Sequence, residues 1–438
     1  MAQSSVWKYA FIRASIFFLH LIAPFSIFYS LVSSLVDLPI RIPRILEVWL
    51  VLETVFYCAR CHRNIPDPDR YLQKWFRNAP ATEIKRENVK DFFRWAFLNT
   101  GDSDPAHDEE LEEYAREIEK LLGRKLEPGH GNAQCLRLTL DKVEMLHRSL
   151  AWYLCVFIVD TVASAYMHYH SFDFYRTSFL AIFPLRPLTL VSAYCSPAKT
   201  LTYWYRPHQS TTKLPVLFIH GIGIGLYPYI NFLGELTAAD AKDPLDGQVG
   251  IIAIEIMPIS SRITAAALLK DEMCEEINRI LTAHGWSRIV LVSHSYGSVT
   301  AAHLLHTPQI VQKIGPIVFV DPASFLLHLP DVAYNFICRK PARANEHLLS
   351  YFSSKDMGVS HTVVLAGSDI VIDTKTIGAY LTGADDWILE TSHWEDGIWK
   401  GDGLDVVWFQ DLDHGQVFNT RSRRGRLVDI VRRFCVEG

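Results

Sequence analysis

One stretch constrains this chain more than any other: Arg288–Ser298, RIVLVSHSYGS. The apolar run Ile289, Val290, Leu291, Val292 reads as a buried strand, and Ser-His-Ser-Tyr-Gly-Ser stops it abruptly. The helical segment VTAAHLLH then follows at once. A strand that turns this sharply into a helix forces strained angles on the apex residue, so the residues two before and two after must be small. Ser293 and Gly297 meet that demand around Ser295, with a serine standing where G-x-S-x-G has its first glycine. A serine held at such an apex is a candidate nucleophile. The plainer reading of the same residues is an ordinary β-to-α turn of a doubly wound sheet.

From about Phe183 onward, strands alternate with helices, which predicts a mostly parallel sheet with helices on both faces. Expected strands are Leu201–Arg206, Leu214–Ile219, Val249–Ile256, Pro316–Val320, His361–Ala366 and Asp405–Phe409, with a helix over Thr264–Ala283. Leu214–Ile219 runs into His220-Gly221-Ile222-Gly223-Ile224-Gly225. A glycine-rich turn there can point backbone N–H groups into a cleft, where they can hold a developing oxyanion. A dinucleotide loop is a poor fit, because G-x-G-x-G lacks the final G-x-x-G spacing and the acidic residue about twenty positions on.

Two further segments complete a chemical set. Gly367-Ser368-Asp369-Ile370-Val371 puts an aspartate just past a strand's carboxyl end, and Asp411-Leu412-Asp413-His414-Gly415 puts a histidine between a strand and the last helix. The motif order, with H-G, the serine turn, G-S-D-I-V and D-H-G each after a strand, resembles the α/β-hydrolase superfamily, most closely its serine esterase and lipase-like branch. The resemblance covers residues 185–438. It implies a triad in the order Ser295, Asp369, His414, with Asp373 and Asp321 as rival positions for the acid. It also implies an oxyanion hole from the N–H groups of Ile222 and Tyr296, and neither cofactor nor metal. Serine rather than aspartate at the apex argues against epoxide hydrolase or dehalogenase chemistry. His294 and Ser293 are read as structural. Residues 322–358 lie where this superfamily inserts a cap, and the apolar residues of Ser324–Lys340 suit an acyl chain or an interfacial lid, and packing on the sheet equally well.

Ahead of this half the pattern differs. Residues 14–38 contain no Lys, Arg or Glu and only Asp37, long enough to cross a bilayer, with Pro24 and His20 inside. Lys8 and Arg13 precede the stretch, and Arg41, Arg44, Arg60 and Arg63 come after it, which predicts a membrane anchor, either a span or a re-entrant hairpin continuing into Ile45–Tyr57, with the rest of the chain on the cytoplasmic side. A buried helix covering the catalytic domain is the alternative. Cys58-Ala59-Arg60-Cys61-His62 matches the haem attachment pattern, but nothing else in the chain calls for haem, and chance or a palmitoylation site fits better.

Residues 64–184 read as a helical appendage between an anchor (1–63) and the catalytic domain (185–438). Thr82 is the expected cap of a helix carrying Ile84, Val89, Phe92, Phe93, Ala96 and Phe97. Asp108–Leu122 repeats the pattern with Leu111, Tyr114, Ile118 and Leu121, its acidic residues forming a solvated face. A third helix, about Leu140–Met167, is apolar nearly all round, and Asp160 interrupts it, so buried packing is expected over a membrane span.

Composition narrows the partners. A net charge of −5 gives no reason to expect nucleic acid. Eight scattered cysteines and no N-x-Ser/Thr sequon point to a reducing, non-secreted setting. Six arginines between Arg421 and Arg433 make the last helix basic, either to meet anionic lipid or simply as a solvated end. The expected function is a membrane-associated serine hydrolase of a small-molecule or lipid carboxylic ester. Acyl transfer or thioester cleavage by the same triad, and a non-catalytic binding protein on the same fold, are the alternatives.

Overall fold

A computed structural model describes residues 68–141, 150–178, 186–237, 246–264, 266–325, 330–335, 365–366, 369, 371–382, 398–400 and 404–437. Residues 14–38 and 45–57, Cys58–His62 and the cap beyond 322–325 and 330–335 lie outside them. Among the described residues, no helix is long and apolar enough to cross a membrane. The chain forms two compact units, Met1–Tyr71 and Leu72–Gly438. Of the first, residues 68–71 are described; the second carries the sheet and its helices.

Helix α1 spans Pro68–Trp75, α2 Arg86–Leu98 and α3 Asp108–Leu122. The expected cap at Thr82 is displaced: Ala81–Glu83 form a 3-10 turn, and α2 begins after Lys85. Asn88 sets that start. Its Oδ1 accepts the amide protons of Lys85 and Gly131, and its Nδ2 donates to the Ala133 carbonyl, so one buried amide ties helix to loop. Helices α2 and α3 are joined by Arg86, which bonds Glu112 and Glu119 at 2.6 and 2.5 Å. Leu111 and Ala115 are the buried residues of α3, while Leu121, expected on the same face, is mostly exposed.

Helix α4, Leu150–Tyr169, differs from expectation. Among its described side chains one stripe is buried, Val156, Asp160, Ala163, Ser164 and Met167 at helical spacing, and Leu154, Ile158 and Val162 are exposed. Asp160 does not interrupt the helix; it is the point at which the helix is fastened. It holds Arg186 through two hydrogen bonds of 2.8 and 2.9 Å and also bonds Arg262, and Arg186 in turn grips Glu255 at 2.7 and 3.0 Å. Four charges are thereby buried together, each paired, the condition under which buried charge is tolerated.

The sheet begins at β1, Asp173–Arg176, inside the stretch that sequence assigns to the appendage, followed by β2, Tyr194–Cys195. Then come β3 (Thr202–Arg206), β4 (Val216–Ile219) and helix α5 (Ile230–Leu236). Next are β5 (Ile251–Glu255), α6 (Lys270–Ala283), β6 (Ile289–His294), α7 (Gly297–Leu305) and β7 (Ile314–Val320). Helix α6 starts six residues later than Thr264. The order is β2-β1-β3-β5-β4-β6-β7, with β5, β4, β6 and β7 parallel and β3 antiparallel to both neighbours. Helix α8 (Thr374–Thr382) lies between β8 (Leu365–Ala366) and β9 (Ile398–Lys400), and β10 (Asp405–Phe409) pairs with both strands in a separate three-stranded sheet. Helix α9, Arg421–Glu437, closes the chain.

Alternation along the central strands divides the core. Val216, Phe218, Ile251, Ala253, Val290 and Val292 face one side, against α5 and α9; Leu217, Ile219, Ile252, Ile254, Ile289 and Leu291 face the other, against α6 and α7. Burying each such side chain contributes about 1.5–3 kcal/mol. The basic residues of α9 are largely engaged: Arg424 forks onto Glu235 at 2.9 and 2.6 Å, Arg423 meets Asp411, and Arg433 meets Asp405.

Candidate active site

Strand β6 is buried along its length and ends at His294; Ser295 then adopts φ +49°, and α7 begins at Gly297. The reversal is tight enough that a Cβ on Gly297 would stand 2.4 Å from the Ile219 carbonyl oxygen, so only glycine fits. The Ser295 amide donates to the Val320 carbonyl, fixing the apex to the neighbouring strand. Ser293 occupies the other tight position, and its buried Oγ has no hydrogen-bond partner among the described residues.

His414 follows β10. Its Nε2 lies 2.8 Å from Ser295 Oγ, and its Nδ1 lies 2.8 Å from Asp369 Oδ2. The Asp369 side chain is fully buried, and its Oδ1 accepts the amide protons of Val371 and Ile372 at 2.7 and 3.0 Å. Burial works to lower the His414 pKa, but the Asp369 carboxylate, with Asp321 and Asp413 behind it, raises it to about 9. An imidazole so poised accepts a proton readily and hands it on less readily.

Gly221 brings the glycine-rich turn against the apex: a Cβ there would meet Ser295 Cβ and His294 Nδ1 at 2.8 Å. His220 braces this turn. Its Nε2 accepts the Ile256 amide proton at 2.9 Å, so Nδ1 carries the proton donated to the Gly221 carbonyl at 2.7 Å. Burial pushes the His220 pKa down to about 4, which keeps that tautomer neutral. Ile222 and Tyr296, the residues expected to supply oxyanion donors, both pack part-buried against the same apolar layer.

A family model described as the alpha/beta hydrolase fold matches residues 215–341, a stretch that takes in β4, the serine turn and β7. Residues 215–341 thus match the α/β-hydrolase fold. No curated protein matches the sequence. Among solved structures, the chain is similar to the carboxylesterase CesB of Bacillus subtilis, at 10% identity over 66% of this chain and 100% of that one, TM-score 0.38. It is similar to a carboxylesterase of the thaumarchaeon Nitrososphaera gargenis, at 13% identity over 56% and 98%, TM-score 0.33. It is also similar to the juvenile hormone epoxide hydrolase of the silkworm Bombyx mori, at 13% identity over 27% and 32%, TM-score 0.23. Likenesses this distant decide nothing about chemistry.

The two rival acids have other occupations. Asp373 accepts from Lys74 at 3.0 Å and from the Thr376 amide at 3.1 Å, at the start of α8. Asp321 adopts φ +40° just past β7, and its Oδ2 accepts the Gly415 amide proton at 2.7 Å. Donor atoms of Asp321, Asp369 and His414 all lie within 4.8 Å of one another. His294, beside the nucleophile, is held by Tyr229: the Tyr229 hydroxyl accepts the Gly221 amide proton at 3.2 Å and donates to His294 Nδ1 at 2.8 Å. Burial, together with His414 and His220 nearby, keeps His294 neutral, its pKa well below the ordinary value. Lys74 and Tyr229 carry no motif, and nothing in the sequence singles them out.

Proposed function

We propose that this protein is a membrane-associated serine hydrolase that cleaves a lipophilic carboxylic ester through an acyl-enzyme. The observation that carries the reading is the unbroken chain of 2.8 Å contacts from Ser295 Oγ through the His414 ring to Asp369. In the first step His414 Nε2 takes the Ser295 proton as Oγ attacks the ester carbonyl carbon. Asp369 holds the Nδ1–H tautomer and stabilises the imidazolium. The backbone N–H groups of Ile222 and Tyr296 receive the oxyanion, each such donor being worth roughly 3 kcal/mol. Collapse expels the alcohol, which takes the proton back from His414. Water, deprotonated by the same nitrogen, then releases the acid and frees Ser295. A binding protein would have no need of this proton path, which weighs against a silent scaffold. Transfer of the acyl group to an alcohol or thiol would use the same acyl-enzyme.

The anchor at residues 14–38 and the cytoplasmic orientation belong to the same proposal, supported by the charge distribution, while the sheet starts ahead of residue 185, at β1. Hydrolysis of p-nitrophenyl butyrate by the full-length protein, measured in carbonate-washed membranes and in the supernatant, tests both parts. Ser295-dependent turnover in the membrane pellet is expected. Turnover that persists in Ser295→Ala would refute the nucleophile, and turnover confined to the supernatant would refute the anchor.

A further inference from the structure

We propose that Lys74, on helix α1 ahead of the hydrolase sheet, is a positioning residue for Asp369. The inference rests on the catalytic assignment of Ser295, His414 and Asp369. Its ground is a convergence of three distant segments on one ammonium group. Lys74 Nζ donates to Asp331 at 3.0 Å and to Asp373 Oδ2 at 3.0 Å, and all three side chains are largely shielded from solvent.

Asp373 ends the short loop that starts at Asp369. The aspartate's own orientation depends on that loop, because its Oδ1 accepts the amides of Val371 and Ile372, whose side chains are buried. Asp331 stands at the start of the second described part of the cap, and Asn335, four residues on, donates from Nδ2 to the Val371 carbonyl at 2.9 Å. The acid loop is therefore tied from outside at two points, by Lys74 and by Asn335. Lys74 is also the counter-ion of two carboxylates at once. Without it they face each other unpaired across the gap, and like charges so placed push the loop away from His414.

The titration behaviour agrees with this geometry. Burial works to lower the Lys74 pKa, yet Asp373 and Asp331 hold it above its ordinary value. Burial lifts Asp331 above the usual carboxylate range; burial acts on Asp373 too, but Lys74 keeps it below. The His414 ring is faced by Asp369, Asp321, Asp413 and His294. Of these, Asp369 is on the loop that Lys74 holds, so displacement of that loop has its own signature in the pH profile.

The test is the second-order rate of fluorophosphonate labelling of the full-length protein as a function of pH, with kcat and KM for p-nitrophenyl butyrate beside it. Lys74→Met should lower labelling and kcat by about ten- to a hundredfold, the usual cost of a small misplacement, with KM little changed. Its acid limb should move to lower pH. Lys74→Arg should keep most of the rate, and Asp331→Asn added to Lys74→Met should restore much of it by removing the repulsion. Wild-type rate and limb in Lys74→Met would overturn the inference. So would a loss that follows the melting temperature and is not relieved by Asp331→Asn. A wild type that takes no label would overturn the catalytic assignment and this inference with it.

Discussion

The Asp321 carboxylate accepts the Gly415 amide proton at 2.7 Å, which sets a second buried acid beside the His414 ring. An aspartate at φ +40° is strained, and strain of this kind persists where the surroundings over-determine it. Asp369 touches the imidazole directly; Asp321 steadies the backbone that carries it and adds its charge. Asp321→Asn should therefore lower the alkaline plateau of kcat/KM by much less than the roughly 10⁴-fold expected of Asp369→Asn, where the tautomer itself is lost. It should also move the acid limb to lower pH. Equal losses in the two variants would contradict this division of roles.

In the proposed mechanism His414 must be neutral to act as general base, and, against burial, Asp369 beside it raises its pKa to about 9. We expect log kcat/KM to climb with unit slope through the neutral range and to level off near pH 9. Stability should move the other way. A histidine whose folded pKa exceeds its unfolded value near 6.5 contributes stability that is fully present below about 6.5 and is lost as pH rises through about 9. Chemical denaturation across that window checks the sign, and a midpoint that rises with pH there in a Ser295→Ala background would contradict it.

Arg186 is the shared counter-ion of Asp160 and Glu255, which joins α4 to β5 deep in the molecule. Arg186→Met should cost about 3–5 kcal/mol, because it leaves two buried carboxylates short of their partner. The loss would appear as a fall in the denaturation midpoint of the full-length chain. A change below about 0.5 kcal/mol, the range of ordinary surface substitutions, would contradict this role for Arg186.

The two small residues flanking the apex should respond oppositely. A methyl on Gly297 would collide with the Ile219 carbonyl, so Gly297→Ala should abolish folding or labelling. The buried Ser293 hydroxyl has no partner among the described residues, and Ser293→Ala should raise stability by about 1 kcal/mol. Destabilisation by Ser293→Ala would reveal a partner for that hydroxyl.

Ser295, His414 and Asp369, which the structure brings into contact, were legible one by one because the setting of each is local. Ser295 sits on a turn whose steric demands are written in its four neighbours, and Asp369 and His414 each end a strand with a polar break. The choice among Asp369, Asp373 and Asp321 was not decidable at that level, since all three follow strands or their loops; Lys74, some three hundred residues away, is what occupies Asp373. Asp160 misled for the same reason. A lone charge in an apolar helix reads as an interruption until Arg186 and Arg262 arrive from other segments. The strand Asp173–Arg176 was missed because four residues of alternating burial, directly after a long helix, leave no pattern of their own. The Thr82 cap failed through a competitor, since Asn88 satisfies the start of α2 from within the helix.

The central claim is that Ser295 is an activated nucleophile. Its most direct test is intact-mass and peptide-level measurement of the full-length protein after brief exposure to a fluorophosphonate, with Ser295→Ala alongside. One adduct is expected, on the peptide containing Ser295, forming faster as pH rises towards 9 and absent from the variant. A folded wild type that forms no adduct, or an adduct on another residue that survives Ser295→Ala, would contradict the claim.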